Sequence, residues 1–163
     1  MKIQEISEDQ VAKYWDENSK IWAEYVRKGW DRYREYFNNP AFFEFLGNLS
    51  GKTVLDAGCG EGHNTRILSR RGAKMIGVDI SKRLIEFARQ AEEREPLGIQ
   101  YKIASFADLS IFNSAFFDTV VSFVALMDGP HYGLAIKEIF RVLRPGGYLI
   151  FSITHPCFIT KGI

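Results

Sequence analysis

The sequence predicts an α/β fold in which a mostly parallel sheet is covered by helices on both faces. From Thr53 onward, short apolar runs alternate with amphipathic runs, which is the pattern of strands that alternate with covering helices. The first apolar run ends in a glycine-rich turn. The chain of 163 residues is also long enough to form one domain with a core of its own.

Five apolar runs are candidate strands. Each is short and rich in Val, Ile, Leu or aromatic residues. Most are continuous rather than alternating, as expected of strands that are buried on both faces. The runs are TVLDA (53–57), KMIGVD (74–79), IQYKIA (99–104), FDTVVSF (117–123) and YLIFSIT (148–154).

Amphipathic runs between these strands predict three helices, near His63–Arg71, Ser81–Arg94 and Tyr132–Leu143. Ser81 is placed to cap the second helix, and Gly72 stands where a helix C-cap is expected. The Pro-Gly-Gly at 145–147 predicts a turn that ends the third helix and leads into the last strand.

The helices predicted for the N-terminal segment are rich in aromatic residues. Of the 23 aromatic residues in the chain, 11 lie between Tyr14 and Phe45. Apolar residues recur there at spacings of mostly three, four or seven, and Gly29 and Pro40 are expected to divide the segment. Our first interpretation is that these side chains form the packing face of helices laid against the sheet. They are Tyr14, Ile21, Trp22, Tyr25, Val26, Tyr33, Tyr36 and Phe37.

Charge and cysteine content argue against several classes of protein. With 21 basic and 20 acidic side chains, the chain has no basic footprint for nucleic acid. No run approaches 18 uncharged apolar residues, and the N-terminus is too polar for a secretory signal. Cys59 and Cys157 are far apart and have no close-spaced histidine, so we expect no metal site and a cytoplasmic location.

The stretch VLDAGCGEGHNTR (54–66) predicts a ligand-binding turn between a buried strand and a helix. Its glycines allow positive φ angles and close approach of a ligand to the backbone, and the helix start favours a carboxylate or phosphate. A dinucleotide fingerprint requires a third glycine where His63 stands, and Asp56 would repel a pyrophosphate. A ligand with both an ammonium and a carboxylate suits this turn better.

Asp79 ends the second predicted strand, 21 positions after Gly58. A carboxylate at this place can accept hydrogen bonds from both hydroxyls of a ribose. The alternative is that Asp79 only helps to cap the following helix. Taken together with the glycine turn, the ribose interpretation is favoured.

Four motifs in this order resemble those of class I S-adenosylmethionine-dependent methyltransferases: VLDAGCGEGHNTR, GVDIS, FDTVVSFVALMD and LRPGGYLIF. The resemblance covers about Lys52 to Thr154 and is greatest to the small-molecule branch that includes ubiquinone and menaquinone biosynthesis methyltransferases. It implies a Rossmann-like fold and S-adenosylmethionine as cofactor, with S-adenosylhomocysteine as product. The implied reaction is in-line transfer of the methyl group to a small-molecule acceptor.

The resemblance also implies which residues contact the cofactor. Residues of the glycine turn would hold the methionine part, and residues at the end of the second strand would contact the ribose and the adenine. Residues after the third strand would contact the adenine edge. Residues that end the fourth strand would line the sulfonium. In chain order they are Asp56, Ala57, Gly58, Cys59, Gly60, Asp79, Ile80, Ser105, Phe106, Ser122 and Phe123.

One position departs from the family pattern. Many relatives have Gly-Asp at the end of the third strand, where the aspartate accepts from the adenine amino group, whereas this chain has Ala104-Ser105. A serine hydroxyl can accept a hydrogen bond but lacks the strength of a carboxylate. Asp108 could replace the aspartate only if the loop bends back.

The sequence contains no self-evident catalytic base. The candidates are Asp128, His131 and His155, and each also has a structural interpretation as a turn or cap residue. We favour His155 for contact with the substrate. The alternative function is a non-catalytic module that binds S-adenosylmethionine or S-adenosylhomocysteine without turnover. A nucleotide-binding Rossmann domain is a third, less favoured hypothesis.

The resemblance divides the chain into a helical lid at residues 1–50 and a methyltransferase core at residues 51–163. Tyr14 and Trp15 are the preferred lid residues over cofactor and substrate. Relatives add a reversed pair of strands after the fifth, so we expect the core to be incomplete at its C-terminus. The fifth strand would then be an exposed apolar edge, either because the chain is a fragment or because a second copy covers it.

Overall fold

The computed structural model describes residues 6–155. Within this range the chain forms five strands and five α-helices. The strands are β1 (Thr53–Ala57), β2 (Lys74–Asp79), β3 (Gln100–Ile103), β4 (Phe117–Phe123) and β5 (Leu143–Ser152). The helices are α1 (Glu8–Arg27), α2 (Asn39–Leu46), α3 (His63–Arg70), α4 (Lys82–Arg94) and α5 (Tyr132–Val142), with a π-helical turn at Arg34–Asn38 and a 3₁₀ turn at Leu126–Asp128.

The sheet has the strand order β3-β2-β1-β4-β5, and all four pairs of neighbours are parallel. The α/β architecture predicted from the alternating runs is therefore confirmed. The direction of strand addition reverses between β1 and β4. In open α/β sheets, ligands bind outside the carboxyl ends of the strands at this point.

Helices cover both faces of the sheet, as predicted. On one face, residues of α2, α3 and α4 such as Phe42, Leu68 and Ile85 form an apolar cluster with the strands. On the other face, α5 packs through Ala135 and Ile139. Because both faces are buried, the central strands consist of almost continuous apolar residues.

The predicted helix boundaries of the core are confirmed to within a residue. The Ser81 hydroxyl accepts a hydrogen bond from the Leu84 N–H at 3.1 Å, so Ser81 caps α4. Gly72 follows α3 with a φ of 93°, a conformation that favours glycine. Both signals are local, which explains why the sequence alone identifies them.

The turn predicted at residues 145–147 is wrong in position. β5 begins at Leu143, directly after α5, and pairs there with Phe117. Regular pairing resumes at Tyr148. The Pro-Gly-Gly sequence lies inside β5 and interrupts its pairing, because proline has no N–H to donate and Gly146 has a φ of 80°.

Of the eight side chains predicted to form the packing face of the N-terminal segment, Val26 alone is buried and Trp22 is half-buried. α1 packs against α4 and buries small or medium residues, namely Ser19, Ala23 and Val26. Small side chains let the two helices approach closely and leave the rings on other sides of the segment. Each of five predicted members is more than half exposed: Tyr14, Ile21, Tyr33, Tyr36 and Phe37.

Among the described residues, α1 is the longest helix, with 20 residues. Neither α1 nor another helix between residues 6 and 155 combines the length and hydropathy that a bilayer crossing requires.

β5 is the edge of the sheet in the described part of the chain, since β4 is its one strand neighbour there. Tyr148, Phe151 and Ile153 near this edge are each more than two fifths exposed. The expectation of an exposed apolar edge at the fifth strand is therefore confirmed for residues 6–155.

The core should be sensitive to Phe117. This residue is fully buried and packs edge-on against Phe112 and Phe116, with ring centroids 5.0 Å apart in both pairs. Phe117→Ala is expected to lower the free energy of unfolding by about 3–5 kcal/mol, because it removes buried area and leaves a cavity. Urea unfolding followed by circular dichroism measures the loss.

Phe140→Ala is the matched control, because Phe140 lies on α5 with 81% of its surface exposed. Its unfolding free energy should stay within about 0.5 kcal/mol of the wild-type value. Equal losses in the two variants would contradict this account of the core.

Candidate functional site

A cleft lies at the carboxyl ends of β1, β2, β3 and β4, and α1 runs along its rim. It is lined by the glycine turn after β1, by residues that follow the other strands, and by side chains of the N-terminal segment. The lining residues that matter below are Glu8, Val11, Trp15, Trp22, Arg34, Asp56, Gly58, Cys59, Gly60, Glu61, Asp79, Ile80, Ser105, Phe106, Phe123, Val124 and Asp128.

The glycine turn is fixed by backbone hydrogen bonds to β2. The N–H groups of Gly58 and Cys59 both donate to the Val78 carbonyl at 2.9 Å. Gly58 has a φ of 80°, and a Cβ there would collide with the methyl group of Ala125. The turn therefore needs glycine both for its backbone conformation and for the close approach of the segment after β4.

Asp79 connects the glycine turn to α4. Its Oδ2 accepts from the Gly60 N–H at 2.8 Å, and its Oδ1 accepts from the Ser81 N–H at 2.9 Å. Burial raises the pKa of the Asp79 carboxyl to about 6, although these backbone hydrogen bonds act in the opposite direction. Each carboxylate oxygen has a further lone pair with which it can accept a ligand hydroxyl.

Asp56 places a buried carboxylate under the cleft. Its Oδ2 accepts from the Thr65 hydroxyl at 2.6 Å, whereas its Oδ1 is buried without a hydrogen-bond partner among the described residues. The pKa of this carboxyl is raised to about 7, chiefly by burial and to a smaller extent by the charge of Asp79, while the Thr65 hydrogen bond and the charge of Arg34 act in the opposite direction. A buried acceptor of this kind requires a donor from water or a ligand.

Glu61 is a second buried carboxylate in the glycine turn, with 5% of its surface exposed. Its Oε2 accepts from Nε of Arg27 at 3.1 Å. Its Oε1, like Oδ1 of Asp56, is buried and has no partner within residues 6–155. The cleft thus contains two carboxylates whose remaining oxygens can accept hydrogen bonds from a cation.

Arg34 is the one lysine or arginine among the described residues that line the cleft. Its side chain is 14% exposed and lies 3.9 Å from Oδ2 of Asp31. The guanidinium also stands over the Trp22 ring, 5.4 Å from its centroid. A positive group therefore shares the cleft with the two carboxylates.

Three side chains attach α1 to the strand ends. Near its start, Glu8 accepts a hydrogen bond from the Ser105 hydroxyl, beyond β3. In the middle, Asp16 accepts from the Ser81 hydroxyl at 2.6 Å, after β2. At its end, Arg27 donates to Glu61, after β1. α1 therefore spans the mouth of the cleft from β3 to β1.

A wider depression, here called the aromatic groove, adjoins the cleft. It lies between the N-terminal helices and the end of β5, and its exposed apolar side chains include Tyr33, Phe37, Phe45, Phe151 and Ile153. The cleft and the groove enclose about 820 and 3650 Å³ respectively, including their solvent-open mouths. The residues lining both are Val11, Trp15, Trp22, Arg34, Val124 and Asp128.

The junction of the two depressions contains a strained residue. Val124 has a φ of 52°, which is unfavourable for a β-branched side chain. Its N–H donates to the Ser152 carbonyl at 3.0 Å, so the end of β5 helps to hold this conformation. Backbone strain of this kind is concentrated at functional sites.

Nine of the eleven residues predicted to contact the cofactor line the cleft: Asp56, Gly58, Cys59, Gly60, Asp79, Ile80, Ser105, Phe106 and Phe123. Ala57 and Ser122 do not, and both are fully buried. The Ser122 hydroxyl donates to the Ala57 carbonyl at 2.7 Å, so these two residues join β1 to β4 beneath the site.

The predicted lid and catalytic residues lie at different places. Trp15 lines both depressions, whereas Tyr14 lines the aromatic groove alone. Asp128 lies at the junction, and partial burial raises the pKa of its carboxyl although the residue remains exposed. His155 lines the groove. His131 is exposed at the start of α5 and is not among the lining residues of either depression.

Sequence reasoning did not identify Glu8, Trp22, Arg34 or Glu61 as site residues. Glu61 could have been found, because it stands inside the glycine turn. The other three come from the N-terminal segment, where no local motif indicates which side chain will reach the strand ends. Cys59 is buried with a free thiol whose pKa burial raises, and Cys157 lies outside the described residues.

Comparison with known proteins shows the family. Residues 55–151 match a family model described as a methyltransferase domain. Two curated proteins named ubiquinone biosynthesis O-methyltransferase are similar to this chain. The one from Nitrosococcus oceani is 32% identical over 78% of the chain, and the one from Acinetobacter baylyi is 30% identical over 87%. The chain spans just over half the length of these relatives, 57% in both cases.

Solved structures agree with this result. An S-adenosylmethionine-dependent methyltransferase from Mesorhizobium loti matches with a TM-score of 0.67 and 30% identity, over 74% of this chain and 55% of that chain. The [4+2]-cyclase SpnF matches with a TM-score of 0.77 over 90% of this chain and 60% of its own, but at 21% identity it shows the fold alone.

The cleft lies where α/β proteins of this topology bind their ligands, and the family model covers every strand of the sheet in whole or in part. The chain belongs to the methyltransferase domain family and is of the class I, S-adenosylmethionine-dependent type.

Proposed function

We propose that this chain binds S-adenosylmethionine in the cleft and transfers its methyl group to a small-molecule acceptor in the aromatic groove. The observation that carries the proposal is the buried Oδ1 of Asp56, which lies beside the glycine turn and has no hydrogen-bond partner among residues 6–155. It is suited to the ammonium group of the methionine part. A nicotinamide or flavin dinucleotide would instead bring a pyrophosphate to this carboxylate, where like charges repel.

The remaining groups of the cofactor have matching partners. Glu61 provides a second acceptor for the ammonium, and Arg34 provides a cation for the carboxylate. Asp79 at the end of β2 accepts from the ribose hydroxyls. Ile80 and Phe106 supply apolar surface for the purine. When bound, the cofactor supplies a methyl group on a positively charged sulfur, which is a good leaving group.

The acceptor is proposed to be a hydroxylated, ring-containing apolar molecule. The exposed rings of the aromatic groove can stack on such a skeleton, and they continue to the cleft through Trp15 and Trp22. The name of the curated relatives, ubiquinone biosynthesis O-methyltransferase, supports oxygen as the methylated atom. The protein's part in the reaction is to align the two molecules and exclude water.

Asp128 is the best-placed candidate for the base, because it lies where cleft and groove meet. Its raised pKa strengthens it as a proton acceptor. His155 lines the groove and stays a candidate for substrate contact. His131 lines neither depression, so its proposed role as the base has less support.

Three further expectations from the sequence belong to the proposal. The balanced charge supports a metabolite rather than a nucleic acid as substrate. The exposed edge of β5 supports pairing with a second copy of the chain, which size-exclusion chromatography with light scattering can measure. We also propose a cytoplasmic location, with which the two widely separated cysteines are consistent.

Binding can be tested with S-adenosylhomocysteine and Gly58→Ala. At about a hundred times its dissociation constant, the ligand should stabilise the wild type by about 2.7 kcal/mol, which raises the melting temperature by several degrees. Gly58→Ala should lose this shift, because the new methyl group collides with Ala125 and distorts the turn. Differential scanning fluorimetry measures both.

Gly51→Ala is the matched control. Gly51 has a similar φ of 75°, but a Cβ there meets open space outside the cleft. It should lower the melting temperature through backbone strain and keep the full ligand shift. Absence of a shift in the wild type would overturn the proposed cofactor.

Cofactor binding should release protons through Asp56. With a pKa of about 7, this carboxyl is about half protonated at pH 7 in the free protein. An ammonium group beside it lowers the pKa, so binding should release up to about half a proton from it at pH 7 and more near pH 6. Calorimetry in two buffers of different ionisation enthalpy measures the release.

Asp56→Asn should remove most of this proton release, leaving the smaller contribution of Asp79, whose pKa is about 6. Asp108→Asn should leave it unchanged, because Asp108 is exposed and has a lowered pKa, so it is fully ionised at pH 7. Net proton uptake in the wild type would contradict the placement of the ammonium.

Turnover distinguishes the proposed enzyme from a non-catalytic binding module. With labelled S-adenosylmethionine and a panel of phenolic acceptors, the wild type should form methylated product. Asp128→Asn should lower kcat by about 10²–10⁴-fold. The wild-type rate should rise with pH as Asp128 deprotonates, with a midpoint above the ordinary range of an aspartate.

His155→Gln is the comparison variant for turnover. A larger loss of kcat in it than in Asp128→Asn would move the base to His155. Cofactor binding without methyl transfer to any acceptor would assign the non-catalytic function.

A further inference from the structure

The side-chain pair Glu8–Ser105 has no role in the reaction described so far. The Ser105 hydroxyl donates to Oε1 of Glu8 at 2.8 Å and accepts from the Ala107 N–H at 3.0 Å. Both residues are partly buried and both line the cleft. Oε2 of Glu8 has no hydrogen-bond partner among residues 6–155.

The order of the strands places this pair at the adenine end of the cleft. If the proposed function is correct, the methionine part lies at the end of β1 and the ribose at the end of β2. β3 is the next strand in the sheet. The purine, on the side of the ribose away from the methionine, therefore extends towards the residues after β3, among them Ser105 and Phe106.

The segment after β3 contains no carboxylate that reaches this end of the cleft. Ala104 and Ser105 stand where an acidic residue could accept from the purine amine. Asp108 is exposed, and its Oδ1 accepts from the Ser110 N–H instead. Asp108 is not among the residues that line the cleft, so the possible replacement by Asp108 is not realised. The hydrogen of the Ser105 hydroxyl is already engaged with Glu8.

We propose that Glu8 selects the adenine base, accepting a hydrogen bond from its exocyclic amine, while Ser105 orients the Glu8 carboxylate. The carboxylate comes from the first turn of α1 rather than from the loop after β3. The residue that recognises adenine therefore lies on α1, the same helix that spans the mouth of the cleft.

A purely structural role for Glu8 is the competing account. Acidic residues in the first turn stabilise a helix through its dipole, and both Glu8 and Asp9 occupy that turn in α1. Asp9 is exposed and lines a different depression beside Lys13 and Arg83. The two residues thus share the helix-dipole effect, but only Glu8 lines the cofactor cleft.

The test compares S-adenosylhomocysteine with S-inosylhomocysteine, whose purine has a carbonyl oxygen in place of the amine. Wild-type protein should bind the adenosyl compound at least about tenfold more tightly, because the carboxylate accepts from the amine and repels the carbonyl. In Glu8→Gln the ratio should fall to near one, since an amide can donate to the carbonyl oxygen. Isothermal titration calorimetry gives both dissociation constants.

Asp9→Asn is the matched control and should keep the wild-type ratio. The double variant Glu8→Ala, Ser105→Asp should restore a preference for the amine, because it returns a carboxylate to the end of β3. A ratio that stays at the wild-type value in Glu8→Gln, even if both affinities fall, would overturn the inference and leave Glu8 a structural role. Failure of the wild type to bind S-adenosylhomocysteine would overturn the proposed function itself.

Discussion

The carboxylate of Asp79 is the interaction on which the other parts of the site depend. It accepts hydrogen bonds from the turn after β1 and from the start of α4, so one buried side chain fixes two elements that meet at the strand ends. The Ser81 N–H donates to Asp79, and the Ser81 hydroxyl donates to Asp16 of α1. The residues that follow β2 therefore fix the positions of the glycine turn, α4 and α1 relative to one another. The N–H groups that surround this charge offset only part of the cost of burying it, since the pKa of Asp79 stays raised.

The cleft brings groups of opposite charge together in a small volume. Oδ1 of Asp56 and Oε1 of Glu61 are buried acceptors without a donor among residues 6–155, and Arg34 is a cation held over an aromatic ring. Such groups are unfavourable in an empty site and favourable once a ligand of complementary charge is bound. The free protein is thus preorganised for a molecule that carries both an ammonium and a carboxylate. The aromatic groove next to it is chemically different, so the two depressions are suited to two different molecules.

The sequence predicted the parts of the fold and site that depend on neighbours in the chain. Asp56, Gly58 and Asp79 were found because each stands at the end of a buried strand, and the strand register brings those ends together. It did not predict the positions of Glu8 and Arg34, since these depend on how the N-terminal segment docks. Glu8 and Ser105 are 97 positions apart, and no local pattern relates them. The aromatic residues of α1 show the same limit, because their spacing is that of a buried face, yet α1 buries Ser19, Ala23 and Val26, of which only Val26 was predicted.

The attachment of α1 at three points has a kinetic consequence. Glu8, Asp16 and Arg27 are spread along a helix about 30 Å long, and each is bonded to the end of a different segment of the core. Loss of one contact frees only one end or the middle of the helix, so the cleft opens fully only when several contacts break together. Full displacement of α1 from the strand ends is then a concerted motion of the whole helix. We therefore expect these polar contacts to slow any exchange of ligand that requires α1 to move away from the strand ends.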